Sequence, residues 1–497
     1  MYWANFLHIY QPANQQKKIL GAVVAECYRP LLNEIKKDSK ARITLNINAS
    51  LVELFHEHGY RDLIDLLKEL GNTGQIEFTG SAKFHAFLPL LPRDEVIRQI
   101  KLNDETNKKY LGEAYKPTGF FSPEMGYSDD VADVVEELGF KWMILDEITA
   151  HGEVNKVDYT KLYKRKNSNL KLFFRERRIS NLIMSAVVRT SDSLIDAIRD
   201  DMASGRYLIT AMDGETFGHH RPGLEKLLFE IFRDPRFNLV TISELFDHYT
   251  DTVEVSPVKS TWASSKQDID LGIQFLSWHD PENIIHKWQW DLINLTLSNV
   301  IKLKKSESYY DNVRSKMDRA LASDHLWWAS AKPWWSVEMI EDGAFRLLDT
   351  LRTLPNIDAA DLSIASKLYE NIVSTAFEWH RTGKIHEMMI SQNNILRIPF
   401  KDRTVGVGGA EVGVYEAILN LIKEQEDKAS EAKEYEKAIL WRDAIFKLEN
   451  KLDIYDTVSA IDLLRLEISN EVVEKEIEKY KDKYRAIRGG QPEQRGS

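Results

Sequence analysis

Cysteine is nearly absent. Cys27 is the one cysteine in 497 residues, which excludes an internal disulfide framework and a cysteine-based metal cluster. It reads as a small buried hydrophobe. Positive charge is also in short supply, since 66 Lys and Arg stand against 77 Asp and Glu for a net charge of −11. Such a balance offers no basic patch for nucleic acid or an anionic membrane, and a neutral substrate fits it better. No apolar run approaches the ~18 residues of a spanning helix. The opening MYWANFLHIYQP lacks the basic start and apolar run of a signal peptide, so a cytoplasmic protein is expected. No GxGxxG follows the first strand candidate and no GxxxxGK occurs, which leaves nucleotide binding without support.

What is present is a core-forming chain. Hydrophobic residues make up 43% and charged residues 29%, ordinary for a folded protein whose length allows two or three domains. Up to residue 255, apolar strand candidates alternate with amphipathic helical stretches. The strands are expected at 2–10, 41–48, 75–80, 117–123, 141–147, 171–176 and 206–213. Helical crossovers between them imply parallel strands. Polar groups recur where these strands end: His8, Asn48, Glu77, Glu124, Asp146, Arg175 and Asp213. A β/α barrel gathers all such ends on one face, whereas an open sheet gathers few. The fold expected is therefore α/β, a barrel of about seven strands (1–255) followed by a mainly α-helical region.

The texture changes after that. Residues 256–350 are Trp-rich: Trp262, Trp278, Trp288, Trp290, Trp327, Trp328, Trp334 and Trp335 fall within it, eight of the twelve in the chain. A helical C-terminal region is expected over 351–487, with a charged helix or hairpin at 423–453 and a disordered tail at 488–497. Indole faces stack on the C–H face of a pyranose, so such a cluster suits a sugar cleft as well as a core.

Two stretches share one design. FFSPEMGYSDD (120–130) and ITAMDGETFGHH (209–220) each end an apolar strand with a carboxylate, Glu124 and Asp213. Two acids across a barrel face are what glycosidic cleavage requires, one as nucleophile or base and one as proton donor. A gap of ~5–5.5 Å goes with retention and ~6.5–9.5 Å with inversion. Capping or ion pairing is the other use for acids in such places.

Five stretches in order resemble glycoside hydrolase family 57, the α-glucan-active enzymes with a (β/α)7 barrel. LHIYQP (7–12), GQIEFTG (74–80), FFSPEMGY (120–127), AMDGETFGHH (211–220) and STWA (260–263) match its motifs. The Trp-rich SDHLWWASAKPWWSVEMIEDGA (323–344) resembles helices that close its cleft. The resemblance implies an amylase, 4-α-glucanotransferase or branching activity on maltodextrin, starch or glycogen-like glucan, with Glu124 as nucleophile and Asp213 as acid/base. It implies sugar contacts from His8, Tyr10, Gln11, Glu77, Asp146, His219, Trp262, Trp327 and Trp334. Glu215 is expected to support Asp213 without touching sugar. Tyr10 departs from the family, which usually has a second histidine there; a phenol can bond a hydroxyl but cannot carry positive charge.

No cofactor or metal is implied. His56 and His58 lie two apart on a predicted helix and face different directions. A metal-dependent polysaccharide deacetylase would need an Asp pair and an HxxxH ligand set, which the strand ends do not supply. A carbohydrate-binding relative without activity is the non-enzyme alternative, against which stand both retained acids. The partner expected is an oligo- or polysaccharide.

Overall fold

The computed structural model describes residues 1–186, 188–331, 334–390 and 413–450, with 460, 463–464, 466–473 and 475–476. The expected tail at 488–497 lies outside them. The chain divides into two compact units. One comprises Met1–Asn181, Arg199–Glu215 and Phe232–Met389; the other comprises Leu182–Ile198, Thr216–Ile231 and Ile390–Ser497.

The first unit holds a curled, mostly parallel sheet. Its strands are β1 (Tyr2–Ile9), β2 (Ile43–Ile47), β3 (Ile76–Gly80), β4 (Gly119–Phe121), β5 (Trp142–Asp146), β6 (Leu162–Arg165), β7 (Lys171–Arg175), β8 (Leu208–Asp213), β9 (Asn238–Val240) and β10 (Thr252–Val255). The order is β10-β6-β7-β5-β4-β3-β2-β1-β8, with β9 pairing β1. All seven expected strands are present, as β1–β5, β7 and β8. Between β7 and β8 the link is a single bond, Glu176 N–H to Ile209 carbonyl at 2.8 Å. β6, antiparallel to β7, β9 and β10 were not expected.

The central strands are buried on both faces, as parallel strands under helices must be. In β2 every residue of ITLNI is buried, and in β5 every residue of WMILD. Gly119 in β4 lets this packing close, since a Cβ there would meet the Trp142 indole at 2.1 Å. Register then decides which polar residues become neighbours. His8 pairs with Asn46 on one side and with Asp213 on the other, and Asp146 pairs with Arg175. These pairs all lie at C-terminal strand ends.

Helices Ile284–Val300, Tyr310–Ala320, Val337–Arg352 and Ala359–Thr382 complete this unit. Their apolar faces share one core with the sheet, including Trp290, Met317, Leu347 and Trp379. The second unit contains the helices Gly413–Glu431 and Tyr435–Asn450, packed through Ile418, Ile422, Trp441, Ala444 and Leu448. That matches the charged hairpin read at 423–453 as far as residue 450. Among the described residues no helix is long and apolar enough to cross a membrane.

Candidate active site

Glu124 sits in a single 3-10 turn, Pro123–Met125, directly after β4. Pro123 fixes the entry to the turn. Glu124 and Met125 then both adopt left-handed backbone, at φ 63° and 51°, which costs non-glycine residues of order 1 kcal/mol each. The chain does not continue the turn into a helix. Ser128 caps a new one, its hydroxyl accepting from Val131 N–H, and Asp129 and Asp130 occupy the first turn, where the helix dipole favours anions. Of the acids in this stretch, Glu124 is thus set apart for another purpose.

Its partners come from far along the chain. The Trp262 indole Nε1–H donates to Glu124 Oε2 at 2.9 Å, and the Trp262 amide donates to the Glu124 carbonyl at 3.2 Å. The loop carrying Trp262 is itself fixed by a bridge between Tyr127 and Ser260. His85 Nδ1 lies 3.8 Å from Glu124 Oε1. Burial first, then the Asp213 charge, push the Glu124 carboxyl up to about 8, with the Trp262 bond opposing and Asp324 adding to the rise. Burial pushes Asp213 up to about 6, with the Arg175 guanidinium opposing. Over the interval between those values the pair holds one proton.

A row of neutral groups floors the site. His8 Nδ1 meets Asn46 Oδ1 at 2.8 Å, His8 Nε2 meets His85 Nε2 at 3.1 Å, and His85 Nδ1 meets Ser323 Oγ at 3.0 Å. Burial lowers His8 to about 4 and drives His85 well below its ordinary value. Neutral imidazole has one donor and one acceptor nitrogen. An amide oxygen can only accept, so His8 donates from Nδ1, and donation then runs from Ser323 to His85 to His8 to Asn46. His85 adopts left-handed backbone, φ 56°, a third such residue here.

Tyr10 extends the row. Its ring stacks on His85 at 4.3 Å, and its hydroxyl donates to Asp324 Oδ2 at 2.8 Å. Burial raises Asp324, with the Tyr10 bond opposing, while burial and the Asp324 charge raise Tyr10 well above its ordinary value. Asp324 opens the short helix Asp324–Trp327. Gly343 lets the helix Val337–Arg352 press on it, since a Cβ there would lie 2.2 Å from His325. Tyr10, Phe84, Arg319, Asp324, Asp342 and Arg346 line an adjoining open pocket.

Glu215 lies two residues beyond Asp213, in the 3-10 turn Gly214–Thr216. Its Oε1 accepts from the Tyr28 hydroxyl in a short bond and from Tyr10 N–H at 3.2 Å. Burial and the Asp213 charge raise it to about 7. The π-helix Val24–Tyr28 presents Tyr28 and also Cys27, whose Sγ meets the Gly214 carbonyl at 3.1 Å. Such bulges are frequent at functional sites.

The other residues expected to contact sugar are engaged as follows. Glu77 is the second residue of β3, and its carboxylate accepts from Ser243, Thr44 and Thr118 at the opposite end of the barrel from Glu124. It ties strand starts together. Asp146 is fully buried and gripped by Arg175 and Arg177, so no oxygen is left for a sugar. Gln11 spends its amide on Tyr28 at 3.4 Å and Gln15 at 2.8 Å. His219 belongs to the second compact unit, tilted against His220 at 5.4 Å. Trp327 and Trp334 are half-buried and stack on each other at 4.6 Å, with Trp328 edge-on to Trp327 at 5.0 Å. His85, Asp324 and Arg177 are the residues not singled out from sequence.

The geometry is matched by likeness to known proteins. The family model for glycosyl hydrolase family 57 matches residues 3–258, just over half of the chain. An α-amylase of Pyrococcus horikoshii is 24% identical over 256 residues, covering 49% of this chain and 40% of that one. The chain spans less than half the length of the curated amylases it matches. Among solved structures, the 4-α-glucanotransferase of Thermococcus litoralis aligns with a TM-score of 0.55 at 17% identity, over 71% of this chain and 58% of that one. A family 57 branching enzyme of Thermococcus kodakaraensis aligns at 0.54 and 17%, over 76% of this chain and 96% of that one. These likenesses show the (β/α)7-type fold, and the family match shows the lineage: the chain belongs to glycosyl hydrolase family 57.

Proposed function

We propose that the chain cleaves or transfers α-glucosidic bonds by double displacement, with Glu124 as nucleophile and Asp213 as acid/base. The observation that carries this is that two carboxyls, Glu124 in the turn after β4 and Asp213 at the end of β8, meet at the C-terminal strand ends within electrostatic reach of each other. Relatives named α-amylase, 4-α-glucanotransferase and 1,4-α-glucan branching enzyme support an α-glucan substrate.

In the first half-reaction Asp213 gives its proton to the glycosidic oxygen while a Glu124 oxygen bonds to the anomeric carbon and the C–O bond breaks. In the second, Asp213 takes a proton from water or a sugar hydroxyl, whose oxygen displaces Glu124. Burial raises Glu124 above Asp213, the reverse of the order that attack needs. Productive binding must therefore shift the proton to Asp213. Positive charge developing at the anomeric carbon favours this, because it lies against Glu124. The Trp262 donor stabilises the same ionised form.

His8, His85, Tyr10 and Asp324 are the groups that would hold hydroxyls of the sugar at the cleavage point, and the Trp327–Trp328–Trp334 cluster would stack glucose units further out. Tyr10 holds Asp324 in place of a histidine cation, so this position binds through neutral hydrogen bonds. An intracellular oligo- or polysaccharide is the proposed substrate. The test is product analysis with the wild type and with Glu124→Gln on maltooligosaccharide. Retained anomeric configuration in the first product supports double displacement; inversion contradicts it.

A further inference from the structure

Arg177 lies just beyond β7, and all three nitrogens of its guanidinium are engaged. Nε donates to Asp146 Oδ1 and Oδ2 at 3.0 and 3.1 Å, Nη1 to the Ser264 carbonyl at 3.0 Å, and Nη2 to the Trp262 carbonyl at 3.2 Å. Asp146 is fully buried and is also met by Arg175 Nε at 3.2 Å. One anchored cation thus holds two carbonyls of the loop whose indole reaches Glu124.

We propose that Arg177, anchored on Asp146, is a positioning residue that holds the Trp262 loop so that its indole N–H stays on the Glu124 carboxylate. The inference rests on the reading of Glu124 as the nucleophile. The planar fork of arginine is what the task needs, because it serves a carboxylate and two diverging carbonyls at once. A lysine keeps the charge and loses that geometry. The loop is otherwise pinned on its other side, where Ser260 accepts from Tyr127 N–H at 2.9 Å. The Trp262 amide on the Glu124 carbonyl at 3.2 Å and the Ser264 hydroxyl on the Gln274 carbonyl at 2.7 Å hold it further along, but Arg177 is what grips the Trp262 and Ser264 carbonyls, and without it the indole loses that constraint.

The consequence is readable on Glu124 itself. Asp213, Asp324, His85, Tyr10 and Trp262 face this carboxyl, and the two acids raise it while the Trp262 bond lowers it. Losing that bond moves Glu124 further up. A role confined to folding would lower stability and leave the Glu124 proton where it was.

The experiment is an infrared pH titration of the full chain, following the protonated carboxyl band that disappears in Glu124→Gln. Trp262→Phe and Arg177→Lys should each shift its midpoint to higher pH, and the double variant should shift it no further than Trp262→Phe alone. On an α-glucan, Arg177→Lys should lower kcat by about 10-fold or more with little change in KM. If Arg177→Lys does not fold, Asp146→Asn loosens the same anchor at constant volume and should shift the midpoint the same way. An unmoved midpoint in the folded anchor variant overturns the proposal, whether Trp262→Phe shifts it or not. A wild type inactive on every α-glucan would instead fail the proposed function, and the titration reads Arg177 without turnover.

Discussion

The Trp262 indole donates to Glu124 Oε2 at 2.9 Å across 138 residues of sequence. The bond joins a barrel strand end to the loop that leads into the helices, and it favours the charged form of a largely buried acid. Glu124→Gln and Asp213→Asn should each lower kcat/KM by a factor of about 10³ or more, because groups acting as a unit fail together. Circular dichroism must stay native in both, since neither change alters side-chain volume.

The rate should follow a bell with limbs near pH 6 and pH 8, measured as kcat/KM. With Asp213 at about 6 and Glu124 at about 8, both acids are protonated at low pH and no nucleophile remains. At high pH both are ionised and no proton donor remains. A profile flat from about pH 5 to about pH 9 would contradict the assignment of the pair.

Stability should fall as pH rises. Burial raises Glu124 in the folded state, so the folded protein binds more protons there than the unfolded chain. Its carboxyl therefore opposes folding progressively as pH rises from the ordinary carboxylate value towards about 8. Glu124→Gln should raise Tm by several degrees at about pH 8 and hardly at all at about pH 4, read by calorimetry at both.

Tyr10→Phe removes the hydroxyl that donates to Asp324 at 2.8 Å. A buried carboxyl without its donor costs of order 1–3 kcal/mol, and the stacked ring is retained. We expect a lower Tm and a KM raised by several-fold, and a double-variant cycle with Asp324→Asn should show strong coupling between the two. Independent effects would sever Tyr10 from Asp324.

Truncating the indole cluster should act on chain length. Trp327→Ala removes the ring stacked on Trp334 at 4.6 Å and should raise KM about 10-fold for long maltooligosaccharides, with less effect on short ones. An equal loss on both would assign the cluster to packing.

The barrel was legible because parallel strands under helices are written as apolar runs, as in ITLNI and WMILD. Strands β6, β9 and β10 were not, being three or four residues long and, in TVEV, mostly exposed. Glu124 and Asp213 stand out in the sequence because each comes where an apolar run ends. Glu77 misled because alternation fixes the face of a strand residue and not its end. His85 reads as a loop histidine, and its left-handed backbone leaves no mark in KFHAFLP. Asp324 reads as a helix start; only its bond to Tyr10, 314 residues away, brings it to the site.

The most direct measurement incubates the wild type and Glu124→Gln with maltoheptaose and resolves products by mass and chromatography. The account predicts shorter or longer chains from the wild type and unchanged substrate with Glu124→Gln, the ladder separating hydrolysis from transfer. Equal conversion by both proteins would contradict the central claim that Glu124 is the nucleophile.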